Sequence, residues 1–497
     1  MKIPQVIISI LNKFKENGFE AFLVGGCVRD LICGVCPKDW DMASNSKPKD
    51  IIKLFPKSFY KNKFGTVTVK TDSKEKTMKE VEITTYRKEI GYSDKRHPDK
   101  IEFAKTIVED LSRRDFTINA MAIGIKNDIA TKTIADTKQI NSNYLLIDPF
   151  DGEKDIKNKI IRSAGKPDKR FSEDALRLLR AIRFASVLGK EWKIEKKTME
   201  AIEKNAKLIN FVSPERIKDE LIKIIECDMA YEGLILLQKT KLLKYILPEI
   251  EKGVGVAQNR HHIYTIFEHS ALSLKYAAKC KYNLDVRLAA LFHDVAKPQT
   301  KHGDGPGATF YNHDVVGANF VKKTLSRLKF SKKTIEKVAN LVRCHMFFYD
   351  PETVTESSVR RLLKKVGKEN IEELVQLRTC DRKGSGVPKA RPYRLRHLEY
   401  VISKVSRDPI CVKMLKINGD EVIKILDIKP GPKVGLILNA LLAEILENPK
   451  QNNKKYLKKR VLEIGKLSNK KLLKEKEIIR EKEDKIEKEQ KKKFYIC

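Results

Sequence analysis

The chain has no run long and apolar enough to span a bilayer, which takes about 20 consecutive apolar residues. The apolar stretch Met1–Leu11 is too short and too weakly flanked for a signal peptide. Its nine cysteines lack the paired spacing of a zinc module: Cys27, Cys33 and Cys36 lie close together, but Cys33-x-x-Cys36 has no second pair at a matching distance. Reduced structural thiols are the better reading, so the expectation is a soluble cytoplasmic protein. No internal repeat is found. Acidic residues are the scarcer charge, 66 against 101 Lys plus Arg, a formal net charge of +35. Such an excess concentrates polyanions and points to nucleic acid or an anionic membrane surface, unless lysine is merely the default surface residue. Motifs must decide between these.

Enough apolar residues are present, 41%, to build packed cores, and 497 residues exceed what one core usually serves. The first 150 residues mix helix and strand signals. Val6 to Lys15 has helical spacing, and Ala21–Val24 reads as a buried strand stopping at Gly25-Gly26. Thr66 to Thr71 and Glu80 to Tyr86 are further strand candidates. From about Ser172 the pattern is almost purely helical. The expected fold class is therefore α+β: a small α/β head with a mixed sheet, then a long all-α body. Loops at Pro248, Gly253-Val-Gly255 and Gly384-Ser-Gly386-Val-Pro388 suggest divisions at 1–150, 151–250, 251–388 and 389–497. The Lys/Glu-rich end after about Lys474 reads as a solvated or frayed helix.

Within the head, Phe22-Leu-Val-Gly-Gly-Cys-Val-Arg-Asp30 reads as strand, tight turn and helix start. Gly25 and Gly26 let the backbone approach a ligand and expose N–H groups to an anion, and Arg29 adds a charged fork suited to phosphate. In Lys38-Asp39-Trp40-Asp41 two carboxylates sit two residues apart on an expected strand. That spacing projects them to one face, where they repel unless a cation lies between them. Magnesium, a hard cation favouring oxygen ligands and substrate phosphates, suits the pair. Glu82 offers a third carboxylate, since Val81 and Ile83 would face the core opposite it. A lone Asp-x-Asp is more often a solvated loop; the glycine turn just before this one argues otherwise.

The blocks Gly25-Gly-Cys-Val-Arg-Asp30 and Asp39-x-Asp41 resemble the first motif of the class II tRNA nucleotidyltransferase and bacterial poly(A) polymerase family. Arg113-Arg-Asp-Phe-Thr-Ile-Asn-Ala-Met-Ala122 resembles that family's ribose-recognition motif, Asp148-Pro-Phe-Asp-Gly152 its hinge, and Glu173-Asp-Ala-Leu-Arg177 with Arg180 and Arg183 its base-recognition helix. The resemblance implies that an RNA 3′-hydroxyl attacks the α-phosphate of a nucleoside triphosphate and pyrophosphate leaves, with Mg2+ held by Asp39 and Asp41. It implies that Gly25, Gly26, Arg29 and Arg114 hold the triphosphate and that Asp115 and Asn119 contact the ribose. Asp174 and Arg177, three apart and expected on one helix face, would read the base edge of CTP or ATP, helped by Arg180 and Arg183. Outside this context an ordinary surface ion pair would be the better reading of that pair. Glu89-Ile-Gly-Tyr-Ser-Asp-Lys-Arg-His-Pro98 resembles the flexible loop of full CCA-adding members, which favours CCA addition to tRNA and leaves A-adding and poly(A) enzymes as alternatives.

The second half carries His269, His293-Asp294 and Asp381 on expected helices Ile266 to Lys279, Asp285 to Val295 and Ile371 to Arg382. A His-Asp pair inside Leu288-Ala-Ala-Leu-Phe-His-Asp-Val-Ala296 costs several kcal/mol if buried without hydrogen bonds or metal. A lone core histidine is usually just satisfied; four candidate ligands in order make that the minority reading. The arrangement resembles the HD phosphohydrolase superfamily, which implies a divalent metal of unknown identity activating water against phosphoesters. His313 and His345 resemble its further site histidines, and Lys297 lies close enough to contact a phosphate. Ile417-Asn-Gly-Asp-Glu-Val and Lys429-Pro-Gly-Pro-Lys-Val-Gly435 resemble the C-terminal region of HD-containing members, implying tRNA contacts made to phosphates and by shape. Two competing readings are a phosphohydrolase with a relic head and a non-catalytic RNA-binding protein. Intact Asp39, Asp41 and Glu82 argue against both.

Overall fold

Helix α1 (Gln5–Glu16) forms where Ile7, Ile10, Leu11 and Phe14 recur at helical spacing, and all four are buried. Gly18, at φ +77°, ends the turn that follows and admits β1 (Ala21–Val24), whose four residues are all buried. This is the computed structural model of the protein, and it describes residues 2–60, 65–91, 100–126, 137–140, 143–259, 263–386, 393–474, 477–478 and 481. Two compact units divide the chain, Met1–Pro248 and Glu249–Cys497.

In the first unit β1 leads through Gly25 into α2 (Gly26–Ile32) and then β2 (Asp41–Ser44). There follow α3 (Pro48–Leu54), β3 (Ser58–Tyr60), β4 (Thr66–Lys70) and β5 (Glu80–Thr85). A separate hairpin, β6 (Arg87–Ile90) with β7 (Lys100–Phe103), precedes α4 (Ile107–Ser112). The strands β8 (Ala122–Ile125), β9 (Thr137–Gln139) and β10 (Tyr144–Ile147) complete the sheet. Its order is β3-β4-β5-β2-β1-β8-β10-β9. Only β2 and β5 run parallel in it, as a mixed sheet requires. Phe22, Val24, Ala43, Tyr86, Ile107, Leu111, Ala122 and Ile147 form one buried cluster beneath it. Each large member contributes about 1.5–3 kcal/mol of burial.

One boundary differs from expectation in a way that matters. The strand begins at Asp41, and Asp39 sits in the preceding bend, because ladder pairing starts only where the Glu82 N–H donates to the Trp40 carbonyl, at 3.2 Å.

Helix α5 (Gly152–Asn158) opens the helical part of this unit, continued by α6 (Pro167–Glu173) and α7 (Leu176–Val187). Two-residue strands, Ile160–Ile161 and Lys193–Ile194, pair in parallel across α6 and α7, a local tie too short for periodicity to reveal. Helices Pro214–Glu226 and Ala230–Lys239 pack on α7. Among its described residues the second unit is helical apart from the small pair Lys301–His302 with Thr309–Phe310. Its core helices are Ile266–Lys279, Leu284–Phe292, His313–Arg327, Lys332–Cys344 and Ile371–Gly384. Thr265 and Glu268 form a reciprocal capping box at the first, fixing its start. Asn418 and Glu421 form another at Gly419–Leu426. The α+β class, an α/β head followed by helices, is what the structure has. Among the described residues no helix is long and apolar enough to cross a membrane.

Candidate functional site

The Gly25 turn needs its glycine twice over. Its φ is +78°, a region L side chains rarely adopt. A Cβ there would also lie 2.8 Å from Arg114 Nη1 and 4.0 Å from Asp41 Oδ2. A guanidinium and a carboxylate thus converge on one turn. Arg114 is aimed by Asp110, which is fully buried and accepts from Arg114 Nη2 at 3.2 Å and from Arg113 at 3.0 and 2.8 Å. Burial pushes the Asp110 carboxyl up, but the two guanidinium groups override it and hold it below its ordinary value.

Asp41 and Glu82 are direct partners in the parallel β2–β5 ladder, so both side chains leave the sheet at the same level. Trp40 is 2% exposed and anchors the segment, while Asp39 before it is exposed and Asp41 after it half-buried. Among the described residues two sets of three metal-ligating groups have donor atoms within 4.8 Å of one another, and both lie in the second unit. Asp41 and Glu82 are aligned in the ladder, and Asp39 stands apart from them in the exposed bend.

The Arg113–Ala122 block and α7 are brought together by Asp115. Its Oδ1 accepts from the Phe116 N–H at 2.8 Å and from Asn119 Nδ2 at 3.1 Å. Its Oδ2 accepts from Arg180 Nε and Nη2 at 2.8 and 2.5 Å. Burial would raise this carboxyl, yet Arg180 and Asn119 pull it down to about 2. Asn119 Oδ1 in turn accepts from Arg29 Nη1 at 2.9 Å. One continuous network therefore joins the glycine turn, the Arg113–Ala122 block and α7. Arg29, Arg180 and Arg183 also surround the Phe184 ring, at 5.4, 5.4 and 3.8 Å from its centroid. Arg183 lies 2.6 Å from Glu220, and burial together with the neighbouring Arg180 charge lowers its pKa to about 10.

Asp174 and Arg177 do not share a helix face. Asp174 is the extended residue between α6 and α7, held there because its Oδ1 accepts the Leu176 N–H at 3.0 Å and so satisfies an orphan donor of α7. Its carboxylate is gripped from a distance by Arg216, whose Nη1 and Nη2 lie at 3.2 and 2.7 Å. Arg177 donates to Glu173 at 2.8 Å and to the Arg113 carbonyl at 2.8 Å. The expected i, i+3 relation fails, although both residues stay beside the network.

In the second unit six ligand-type side chains meet in a buried centre. His269 Nε2 lies 2.9 Å from His293 Nε2 and 3.3 Å from both Asp294 Oδ2 and Asp381 Oδ1. His313 Nε2 lies 3.3 Å from His345 Nε2 and 3.4 Å from Asp294 Oδ1. Asp294 therefore faces one ligand group with each oxygen. The helix carrying the His-Asp pair stops at Phe292, short of the expected Val295. Adjacent residues on a continued helix would project about 100° apart; the turn brings both to the centre, where His293 Nε2 and Asp294 Oδ2 are 3.3 Å apart.

The Nδ1 atoms of His293, His313 and His345 bond the carbonyls of Ala290, Phe310 and Val342 at 2.9, 2.7 and 2.6 Å. That leaves each Nε2 directed inward, the orientation used by metal-ligating histidines. Burial keeps His313 neutral, its pKa near 3. Burial opposes protonation of His269 too, but Asp294 and Asp381 lift it to about 9. The donor set, imidazole nitrogens and carboxylate oxygens converging from several helices, fits a divalent cation. Lys297 Nζ bonds Asp294 Oδ2 and Gln258 Oε1, both at 2.7 Å, and Arg378 lies 2.5 Å from Asp381.

Sequence reasoning missed Arg216, Glu220, Gln258 and Arg378. Arg378 had a usable signal, three residues before Asp381 on one helix. The other three act across the fold and had none. The Glu89–Pro98 loop lies outside the described residues from Tyr92 onward, as do Val387, Pro388 and most of the tail after Lys474.

Three family models match the chain. Residues 21–162 match "Poly A polymerase head domain", residues 192–253 match "Probable RNA and SrmB- binding site of polymerase A", and residues 266–383 match "HD domain". A CCA-adding enzyme of Ligilactobacillus salivarius is 31% identical over 454 residues, covering 90% of this chain and 94% of that one. A CCA-adding enzyme of Pediococcus pentosaceus is 42% identical over 238 residues, 48% of this chain and 54% of that one. Among solved structures, the Bacillus stearothermophilus CCA-adding enzyme in complex with CTP superposes with a TM-score of 0.65 at 26% identity, covering 93% of this chain and 98% of that one. The Thermotoga maritima CCA-adding enzyme complexed with tRNA shares the fold, with a TM-score of 0.57 at 21% identity, covering 93% of this chain and 96% of that one. Through a relative matched along nearly its whole length, and a head and HD domain in the same order, the chain belongs to the family of CCA-adding enzymes.

Proposed function

We propose that this chain adds CCA to the 3′ end of tRNA from CTP and ATP, without a nucleic-acid template. The observation that carries the reading is the Asp41–Glu82 pairing beside the Gly25 turn, on which the Asp41 carboxylate and the Arg114 guanidinium converge. The head residues Asp39, Asp41 and Glu82 would hold Mg2+, the divalent ion that enzymes of this family use. Bound there, Mg2+ would lower the pKa of the RNA 3′-hydroxyl and neutralise charge on the leaving pyrophosphate. Gly25 and Gly26 offer backbone N–H groups to the triphosphate, and Arg29 and Arg114 add charge-assisted donors. Asp115 and Asn119 orient the ribose, and Arg180 fixes Asp115. Asp174 and Arg177, with Arg180 and Arg183, form the edge read by the incoming base. Most of the catalysis is positioning.

The division follows: head 1–150, neck 151–250, HD domain 251–388, and a C-terminal tRNA-binding region 389–497. Action on tRNA would place the protein in the cytoplasm. Replacing Asp39 and Asp41 by Ala tests the assignment. Nucleotide addition should vanish while RNA binding and phosphoester hydrolysis persist; retained addition would refute it.

A second activity is favoured by the paired ligand groups around Asp294. We infer that the HD centre would hold divalent metal, with His269, His293 and Asp381 as one set of ligands and Asp294, His313 and His345 as another. Metal bound there would supply an activated water for phosphoester hydrolysis, and Lys297 would steady the phosphate. His293→Ala should lose the hydrolysis and keep nucleotide addition.

A further inference from the structure

Neither centre uses the helix Tyr393–Val405. Leu395, Leu398, Val401 and Val405 bury one face of it against Glu356–Val366, which already satisfies its need for packing. On another side Tyr393, His397 and Tyr400 follow one another at helical spacing. Their ring centroids are 5.8 Å apart between the first two and 6.2 Å between the last two. Tyr393 is 64% and Tyr400 63% exposed. Leaving two such rings in water forgoes a large apolar gain on folding. The middle ring is held from outside the helix: the Tyr349 hydroxyl and His397 Nδ1 share a 2.6 Å hydrogen bond. The stripe is thus preorganised. Exposed Arg394 and Arg396 interleave with it, and Arg394 lies 3.5 Å from Asp350.

We propose that the Tyr393–His397–Tyr400 stripe is a stacking platform for the unpaired bases of an RNA strand, whose phosphates Arg394 and Arg396 meet. Aromatic rings stacked on bases beside cations are the chemistry of single-strand binding, tolerant of sequence because every base has a π-face. A second copy of this chain is the other candidate occupant. It fits less well, because docking would bring together two molecules each carrying +35. The inference does not rest on CCA addition or on the HD centre being active.

The test uses the full-length chain and a fluorescent, unstructured RNA of about 12 nucleotides, within the usual span of single-strand sites, read by anisotropy. Tyr393→Leu with Tyr400→Leu should weaken binding about tenfold, about 1.4 kcal/mol, with an unchanged salt slope because the phosphate contacts remain. Tyr393→Phe with Tyr400→Phe should bind as the parent does, since stacking needs the ring and not the hydroxyl. Equal affinity of all three proteins overturns the proposal, and so does equal weakening by Leu and Phe. A wild-type dimer that the Leu pair dissociates without changing RNA affinity also overturns it. Cross-linking of the unmodified protein to the same RNA carrying 4-thiouridine should label the 393–400 segment; labelling confined to other segments contradicts the proposal.

Discussion

Arg180 grips Asp115 with two nitrogens, at 2.8 and 2.5 Å, so that a residue of α7 fixes the carboxylate of the Arg113–Ala122 block. The pair joins the Arg113–Ala122 block to α7. Its loss should show in stability as well as in activity.

Asp115 is held near pKa 2 against an ordinary 3.8, a difference of about 2 kcal/mol. Its folded pKa is depressed, so this stabilisation is complete above the unfolded value and is lost as the pH falls from about 4 towards 2. Arg180→Gln removes the main pairing cation and leaves a buried carboxylate uncompensated, at a cost of about 3 kcal/mol. The variant should unfold at a higher pH than the parent in an acid titration followed by circular dichroism. An unchanged acid midpoint would remove Arg180 as the cause.

Gly25 and Gly26 should respond differently to the same substitution. Gly25→Ala puts a Cβ into Arg114 at a positive φ, whereas a Cβ at Gly26 meets only the mobile end of Arg29 at 3.7 Å. We expect Gly25→Ala to lower the rate of CTP incorporation by about 100-fold through misplacement of Arg114. Gly26→Ala should retain most of the activity, and steady-state rates with melting curves as a folding control separate the two. Similar losses from both would contradict the geometry.

Arg216 should act on nucleotide choice through Asp174. Arg216→Ala frees the Asp174 carboxylate while leaving Arg29, Arg114 and Asp115 in place. Discrimination of CTP and ATP against UTP and GTP should fall about tenfold, by the worth of about one well-placed hydrogen bond to a charged group. Relative kcat/KM for the four triphosphates measures it. A uniform fall for all four would mark Arg216 as merely structural.

Metal content distinguishes the two halves of the HD centre. The parent protein should bind about two divalent ions there, and His313→Ala about one, because His269, His293 and Asp381 keep their own set. Mass-spectrometric metal analysis after dialysis reads the stoichiometry. A parent with a single ion, unaffected by His313→Ala, would remove the second site.

Local features of the sequence forecast much of this and tertiary ones did not. Gly25 was legible because only glycine tolerates the turn, and Ala21–Val24 because four apolar residues between breakers leave little but a buried strand. The His269–Asp381 cluster was legible because buried imidazoles beside carboxylates need an explanation. The Asp174–Arg177 relation was misread: helical periodicity runs through residues 173–184, but the Asp174 side chain competes for the Leu176 N–H and breaks the helix there. Arg216, 42 residues away in sequence, meets Asp174 only through packing of Pro214–Glu226 on α7. Which half of the HD centre a histidine joins was equally hidden, because it depends on Asp294 presenting its two oxygens in opposite senses.

The central claim is nucleotide addition at Asp39, Asp41 and Glu82, and extension of tRNA lacking its last three nucleotides tests it most directly. The parent should add cytidylate from CTP alone and complete the end when ATP is also present, while Asp41→Ala adds nothing yet still binds the tRNA. Failure of the parent to incorporate CTP, with adenylate added only to tRNA already ending in CC, would contradict CCA addition and leave an A-adding enzyme in its place.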